Sequence, residues 1–319
     1  MRKPRDETLN TGLPNLAPSS LVSAEWLARH VPGASSLANP ARPASPDRLV
    51  VLDASHHLPG AARDARAEFA AGHIPGARFL DLASLTDASS PVPAAMPNAA
   101  QLAHRLAHLG IARDDRIILY DDSAVKTAAR AWFILTAHGV TNVAILDGGL
   151  AMWRGQGHKL AAGAPEYAPA QSALSPATLP PAVRVARKGD VLAGLGNGVD
   201  QVIDARAAAR VFGRGIDPVH GGQNGRIPGA LNLPYDTVFA PDGRYKSAEQ
   251  LRAAFAAAKL DLARPITASC GSGITASVLL FALHLIGCDH ARLYDGSWQE
   301  WEADPDTPKA QGPQETTPQ

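Results

Sequence analysis

The stretch HIPGARFLDL at residues 73–82 returns as RIPGALNLPY at residues 226–235, with its Ile-Pro-Gly-Ala core displaced by 153 residues. Upstream, LVVLDAS at 49–55 is matched by QVIDAR at 201–206, which sets Asp53 against Asp204, 151 residues on. Downstream, VAILDGGLAMW at 143–153 is matched by ARLYDGSWQEW at 291–301, which sets Asp147 against Asp295, 148 residues on. Three matches in one order at nearly one spacing make the chain two copies of one fold. Its 319 residues have room for two average domains.

Each copy alternates short branched-apolar runs with helical patterns. LVVLD, RIILYD and VAILD in the first copy, and VDQVID, ITASC and ARLYD in the second, end in a polar residue, as buried parallel strands do. Leu102, Leu106 and Leu109 fall at i, i+4, i+7, and Leu251, Phe255 and Ala258 repeat that spacing. Strands alternating with helices predict an α/β fold, each copy a parallel sheet flanked by helices. Residues 21–159 form the first domain on this reading and 185–304 the second. Between them, 160–184 is rich in Pro, Ala and Ser without a sustained period and reads as a linker. Residues 1–20 read as a disordered tail, and the proline-containing 305–319 as a loosely ordered one.

The 30 Lys and Arg balance 30 Asp and Glu, so the chain lacks the basic field of a nucleic-acid binder or a polybasic membrane anchor. The longest nearly apolar run, 278–287, is interrupted by His284 and is far shorter than the roughly 20 residues of a spanning helix. The first twenty residues hold no apolar core of a secretory signal. Two cysteines, Cys270 and Cys288, cannot build a disulfide framework, which leads to the expectation of a reducing compartment, the cytoplasm. Eleven histidines are scattered; His104 and His108 share a helix face but have no third ligand of matching motif, so no metal site is expected. Cys288, at a helix end before Asp289 and His290, reads as inert.

The chemistry concentrates in SCGSGITAS at 269–277. A strand enters a loop at Cys270 and an apolar helix follows at once. Gly271 and Gly273 let successive N–H groups turn inward, and the helix start adds its positive end. Such a bowl stabilises negative charge on sulfur and makes Cys270 a candidate nucleophile. The competing reading is a small buried cysteine packed at a strand end. The strand-loop-helix junction inside a duplicated fold favours the nucleophile.

With these motifs the chain resembles the tandem-domain rhodanese superfamily of sulfurtransferases, from about Leu21 to Asp304. Within it, Cys270-Gly271-Ser272-Gly273-Ile274-Thr275 is similar to the C-G-S-G-[VI]-T loop of the mercaptopyruvate group and differs from the C-R-K-G-V-T loop of the thiosulfate group. The resemblance implies two rhodanese-like domains with the reagent only in the second. It further implies transfer of sulfur from 3-mercaptopyruvate through a Cys270 persulfide to a thiol acceptor, such as a thioredoxin or a small dithiol, or to cyanide, without a cofactor. Catalytic roles are implied for Cys270 and Ser272, and a proton relay for Asp64 and His73; the loop residues Gly271, Gly273, Ile274 and Thr275 line the substrate. Of the family's two substrate arginines, the first falls on Arg210 and the second on Val219. Arg214 or Arg226 could supply that missing cation. The uncharged loop suits a 2-oxo carboxylate, which needs an arginine and hydrogen-bond donors, better than the thiosulfate dianion.

Aligned copy on copy, Asp121 stands opposite Cys270, so the first domain reads as a non-catalytic scaffold. Cysteine phosphatases share this loop architecture but need an arginine six residues after the cysteine, where this chain has Ala276. A non-catalytic binding module is opposed by the intact loop. Thiosulfate is the alternative donor, favoured by Val219.

Overall fold

The computed structural model describes residues 20–31, 48–163, 165, 175, 179 and 184–312. The first copy runs β1 (Leu21–Val22), α1 (Ala24–His30), β2 (Leu49–Asp53), α2 (Ala65–Ala71), β3 (Arg78–Phe79), α3 (Ala99–His108), β4 (Arg116–Tyr120), α4 (Ala128–Ala137), β5 (Val143–Leu146) and α5 (Gly149–Gly155). The second runs β6 (Val185–Ala186), α6 (Lys188–Gly194), β7 (Gln201–Asp204), α7 (Ala208–Val211), β8 (Leu231–Asn232), a 3-10 turn (Tyr235–Val238), α8 (Ala248–Ala257), β9 (Ile266–Ser269), α9 (Ile274–Leu285), β10 (Arg292–Tyr294) and α10 (Ser297–Ala303). Both sheets are parallel, in the orders β1-β5-β4-β2-β3 and β6-β10-β9-β7-β8. The two orders are the same once corresponding strands are matched, so the duplication inferred from the three repeated motifs extends to topology.

This order fixes where a ligand can bind. From β7 the chain winds to one side, to β8, and from β9 to the other, to β10, so the direction reverses between β7 and β9. Open parallel sheets bind ligands in the crevice at the carboxyl ends of such a strand pair. Cys270 follows β9, and the segment leading to Arg210 follows β7.

The helices form for local reasons that the two copies share. Asn98 and Gln101 make a reciprocal capping box at the start of α3, and Ser247 and Gln250 do the same for α8. Leu102, Leu106, Leu251 and Phe255 are fully buried beneath them. Helices α4 and α9 are apolar nearly all round because each lies between its own sheet and the other helix. Trp132 meets Phe281 edge-to-face across that contact at 4.9 Å, and one hydrophobic core runs through both domains. No helix among the described residues is long and apolar enough to cross a membrane.

Two segments depart from the sequence reading. Residues 305–312 are not loose: Arg226 and Ala310 form an antiparallel bridge, the Trp301 indole N–H donates to the Pro308 carbonyl at 2.8 Å, and Thr307 is buried. The prolines interrupt regular structure without preventing docking. In the first copy, His73 and Ala161 form the corresponding bridge, so the opening residues of the stretch read as a linker fold back on the first domain. Leu179, later in that stretch, is buried in the shared core. Most of 160–184, residues 313–319, and all of 1–20 except Ser20 lie outside the described residues.

Asp121 occupies in the first copy the strand-end position that Cys270 has in the second. It is buried and accepts from the backbone N–H groups of Ser123 at 2.9 Å and Ala128 at 2.7 Å. Burial nonetheless pushes its carboxyl up to about 6, against those hydrogen bonds. Between about pH 4 and pH 6 the folded chain therefore holds a proton that the unfolded chain has released, and stability falls as pH rises through that window. A shift of about two units corresponds to ~3 kcal/mol. Asp121→Asn should remove this part of the pH dependence, so its Tm should gain on the wild type between pH 4 and pH 6.5. Parallel Tm-against-pH profiles for the two proteins would contradict this account.

Candidate active site

Cys270 is nearly fully buried at the carboxyl end of β9. Its backbone N–H donates to the Ser297 hydroxyl at 3.1 Å, and that hydroxyl donates to the Tyr294 carbonyl at 2.8 Å. The same oxygen lies 4.0 Å from the Cys270 sulfur. A hydroxyl has one proton, and here the closer carbonyl takes it. Ser297 reaches this place through a left-handed backbone (φ 51°), and the N–H groups of Trp298 and Gln299 donate to the Cys270 and Gly271 carbonyls at 2.9 and 3.0 Å. The loop is thus fastened to the start of α10.

Both loop glycines have steric reasons. Gly273 is left-handed (φ 79°) at the start of α9, and a Cβ there would meet Arg130 Nη1 at 2.9 Å and Asp295 Oδ1 at 3.0 Å. Gly271 lies under the imidazole of His220, whose Nε2 would be 2.0 Å from an added Cβ. Ser272 is buried, and among the described residues its hydroxyl has no hydrogen-bond partner. Ile274 and Thr275, half-buried, open α9. Of the six residues from Cys270 to Thr275, the first four are buried and the last two half-buried.

Arg210 is linked to that loop indirectly, through Asp217 and the His220 segment that Asp217 anchors. Its guanidinium pairs bidentately with the carboxylate, at 3.0 Å from Nε and 2.8 Å from Nη2. The Asp217 carboxylate also accepts from the N–H groups of Val219 at 2.9 Å and His220 at 3.4 Å. Burial works against its charge, but Arg210 and these N–H groups prevail and hold it below the usual carboxylate range. Arg206, fully buried, pairs with Asp204 at 2.7 Å and lies 3.6 Å from Asp217. Its guanidinium stacks 4.9 Å from the Trp298 ring. One network of two arginines and two aspartates thus links the turn after β7 to the segment that fastens the Cys270 loop. His220, half-buried, is pushed below the usual imidazole range by burial and then by Arg210, so it is neutral at pH 7.

Three expectations are placed differently by the structure. Asp64 and His73 are not brought together: they sit at opposite ends of α2, roughly 13 Å apart at 1.5 Å per residue. Asp64 is exposed and caps α2 by accepting from the Arg66 and Ala67 N–H groups. His73 is buried, stacks on Phe69 at 4.1 Å, and hydrogen-bonds the Phe69 carbonyl through Nδ1 at 2.8 Å. Arg226 does not turn to the site, since its guanidinium donates to the Gly312 carbonyl at 2.6 Å and stacks on Phe212. Arg214 is exposed and lies toward Gly312. Cys288, read from the sequence as inert, is buried beside His290, and burial pushes its thiol up.

Sequence reasoning missed Arg130, Asp217, His220 and Ser297. Only Arg130 carried a signal, a lone charge inside the apolar helix text AARAWFIL.

This architecture, two matched parallel α/β domains with one cysteine loop at the switch point of the second, defines a tandem-domain protein with a single thiol site. The Rhodanese-like domain model matches residues 61–156 and 188–304, and the chain belongs to that family. It is 37% identical to the 3-mercaptopyruvate sulfurtransferase of Mus musculus over 284 residues, 88% of this chain and 91% of the mouse protein. It is 36% identical to the thiosulfate sulfurtransferase of Gallus gallus, also over 284 residues, 88% of this chain and 93% of the chicken protein. The crystal structure of the Escherichia coli 3-mercaptopyruvate sulfotransferase SseA superposes with a TM-score of 0.74 at 34% identity, covering 88% of this chain and 99% of that one.

The closeness of His220 to Gly271 makes a direct test of loop geometry. Gly271→Ala should slow alkylation of Cys270 by iodoacetamide at least tenfold, read by mass spectrometry of the Cys270 peptide. Adding His220→Ala should restore the rate. An unchanged rate in the single variant would show that the loop does not depend on this contact.

Proposed function

We propose that the chain is a sulfurtransferase that moves sulfane sulfur from 3-mercaptopyruvate through Cys270 to a thiol acceptor, releasing pyruvate. The observation that carries this reading is the uncharged Cys270 to Thr275 loop at the N-terminus of α9. It supplies backbone N–H groups and the Ser272 hydroxyl but no cation, which matches a monoanionic oxo acid with a carbonyl better than a dianion.

The Cys270 thiolate attacks the sulfur of the donor. The new S–S bond forms as the S–C3 bond breaks, and the electron pair of that bond stays on carbon as pyruvate enolate. Cysteine sulfur is oxidised to the persulfide level and C3 is reduced; a proton then completes the methyl group of pyruvate. Donors aimed at developing charge are each worth about 3 kcal/mol in such sites, and the Ser272 hydroxyl can serve the departing enolate. Arg210 holds the donor carboxylate, sharing it with Asp217. A thioredoxin, a small dithiol or cyanide then attacks the outer sulfur and returns Cys270 to the thiolate. The reaction is a two-step exchange that needs no resident cofactor, in a reducing compartment such as the cytoplasm. Domain limits of 21–159 and 185–304 belong to the same reading.

Thiosulfate is the second reading, favoured by the likeness to the chicken enzyme and by Val219 in the place of the family's second arginine. The two readings separate on donor ranking: kcat/KM for 3-mercaptopyruvate should exceed that for thiosulfate, and the reverse order overturns the proposal. Cys270→Ser should abolish turnover of both donors, and retained activity would remove Cys270 from the chemistry. Arg210→Lys keeps a charge beside Asp217 but loses the planar fork. It should raise KM for 3-mercaptopyruvate about tenfold, as loss of ~1.4 kcal/mol from a charged hydrogen bond requires. An unchanged KM would move the carboxylate site elsewhere.

A further inference from the structure

His220 has no assigned part in the proposed reaction, yet it is the side chain laid directly over the backbone of the residue after Cys270. Its loop is anchored rather than free. The Asp217 carboxylate accepts from the Val219 and His220 N–H groups while pairing with Arg210, so the imidazole and the guanidinium are placed by one carboxylate. Among the described residues, neither ring nitrogen of His220 has a hydrogen-bond partner, although the side chain is half-buried. A half-buried ring held against the loop without a protein partner is available to a ligand.

The surrounding charges narrow what that ligand group can be. The cations of this wall, Arg206 and Arg210, are each paired with carboxylates, Asp204 and Asp217. The wall as a whole is therefore close to neutral, and His220 adds a neutral donor to it. A neutral imidazole N–H recognises a carbonyl or one carboxylate oxygen without adding the charge that would favour a dianion.

We propose that His220 is a substrate-binding and specificity residue, which donates a hydrogen bond to the oxo-acid end of the sulfur donor beside Cys270 and so selects a 2-oxo acid over thiosulfate. This rests on the reading of the chain as a 3-mercaptopyruvate sulfurtransferase. His220 serves in place of the cation absent at Val219, one residue earlier on the same anchored loop.

The test compares wild type with His220→Ala, His220→Gln and His220→Arg, with both donors and with iodoacetamide. Loss of one neutral hydrogen bond is expected to raise KM for 3-mercaptopyruvate up to about tenfold in His220→Ala, with kcat changed less than KM. His220→Gln, which keeps an N–H donor, should recover most of that loss. His220→Arg should lower the ratio of kcat/KM for 3-mercaptopyruvate to that for thiosulfate, because it adds charge where a dianion would lie. Alkylation of Cys270 by the neutral iodoacetamide should keep its wild-type rate in His220→Ala and His220→Gln. A KM within twofold of wild type in His220→Ala, or alkylation that slows in step with the KM change, overturns the proposal. Wild-type turnover of 3-mercaptopyruvate is measured first. Its absence overturns the proposed function and this inference with it, whereas turnover with an unaltered His220→Ala KM overturns the inference alone.

Discussion

A buried ion pair between the two copies holds the reactive loop in shape. Arg130, on α4 of the first domain, meets Asp295 of the second at 2.8 Å, and its guanidinium reaches the Gly273 carbonyl at 3.4 Å and the Ala94 carbonyl at 3.1 Å. The other Asp295 oxygen accepts from the Met96 N–H at 2.6 Å. Removing one partner of such a pair strands a buried charge, at a cost of about 3–5 kcal/mol. The space for the pair exists because Gly273 lacks a Cβ, so the residue that opens α9 is shaped by a side chain from the other domain. The first copy, which has no cysteine, is thereby packed against the Cys270 loop of the second.

The interface repeats itself with a break in symmetry. Asp147, the counterpart of Asp295, accepts from the Tyr245 N–H at 2.9 Å, just as Asp295 accepts from Met96. Each aspartate therefore crosses to the segment that precedes a capped helix of the other copy. Arg130, however, has Leu279 as its counterpart in α9. Among the described residues Asp295 has an ion pair with an arginine and Asp147 has none, and burial leaves Asp147 with a raised carboxyl pKa against the pull of Arg244. The duplicated frame is general, and the asymmetry in one side chain is what adapts one half of it to a reactive loop.

What could be read in advance follows the same division. Asp53 and Asp204 end strands, the Ile-Pro-Gly-Ala segments lead into β3 and β8, and Asp147 and Asp295 follow β5 and β10. Motifs at strand ends are dictated by local backbone turns, so both copies keep them and the fold is legible. The Cys270 loop is legible because it is contiguous. Arg130, Asp217, His220 and Ser297 matter through contacts made only when the sheets close, and apart from the lone charge of Arg130 in an apolar helix no local pattern announces them. Asp64 shows the converse: its place before ARAEFAA is explained locally, by the capping of α2. The C-terminal prolines were read by composition, which reports the absence of regular structure but not the bridge between Arg226 and Ala310.

The first copy also measures what such a loop can and cannot do. Asp121 receives two backbone N–H donors at the start of a helix, the arrangement that should favour an anion, and still its carboxyl is pushed up to about 6. Desolvation of a buried fixed charge outweighs the donors of such a bowl. In the second copy a bowl of the same kind, with the Arg210 network beside it, has sulfur and the substrate's developing charge to stabilise rather than a carboxylate. It follows that the two copies are separated less by the shape of their loops than by the chemistry of the one residue at the strand end, together with the polar wall that only the second copy has built around it.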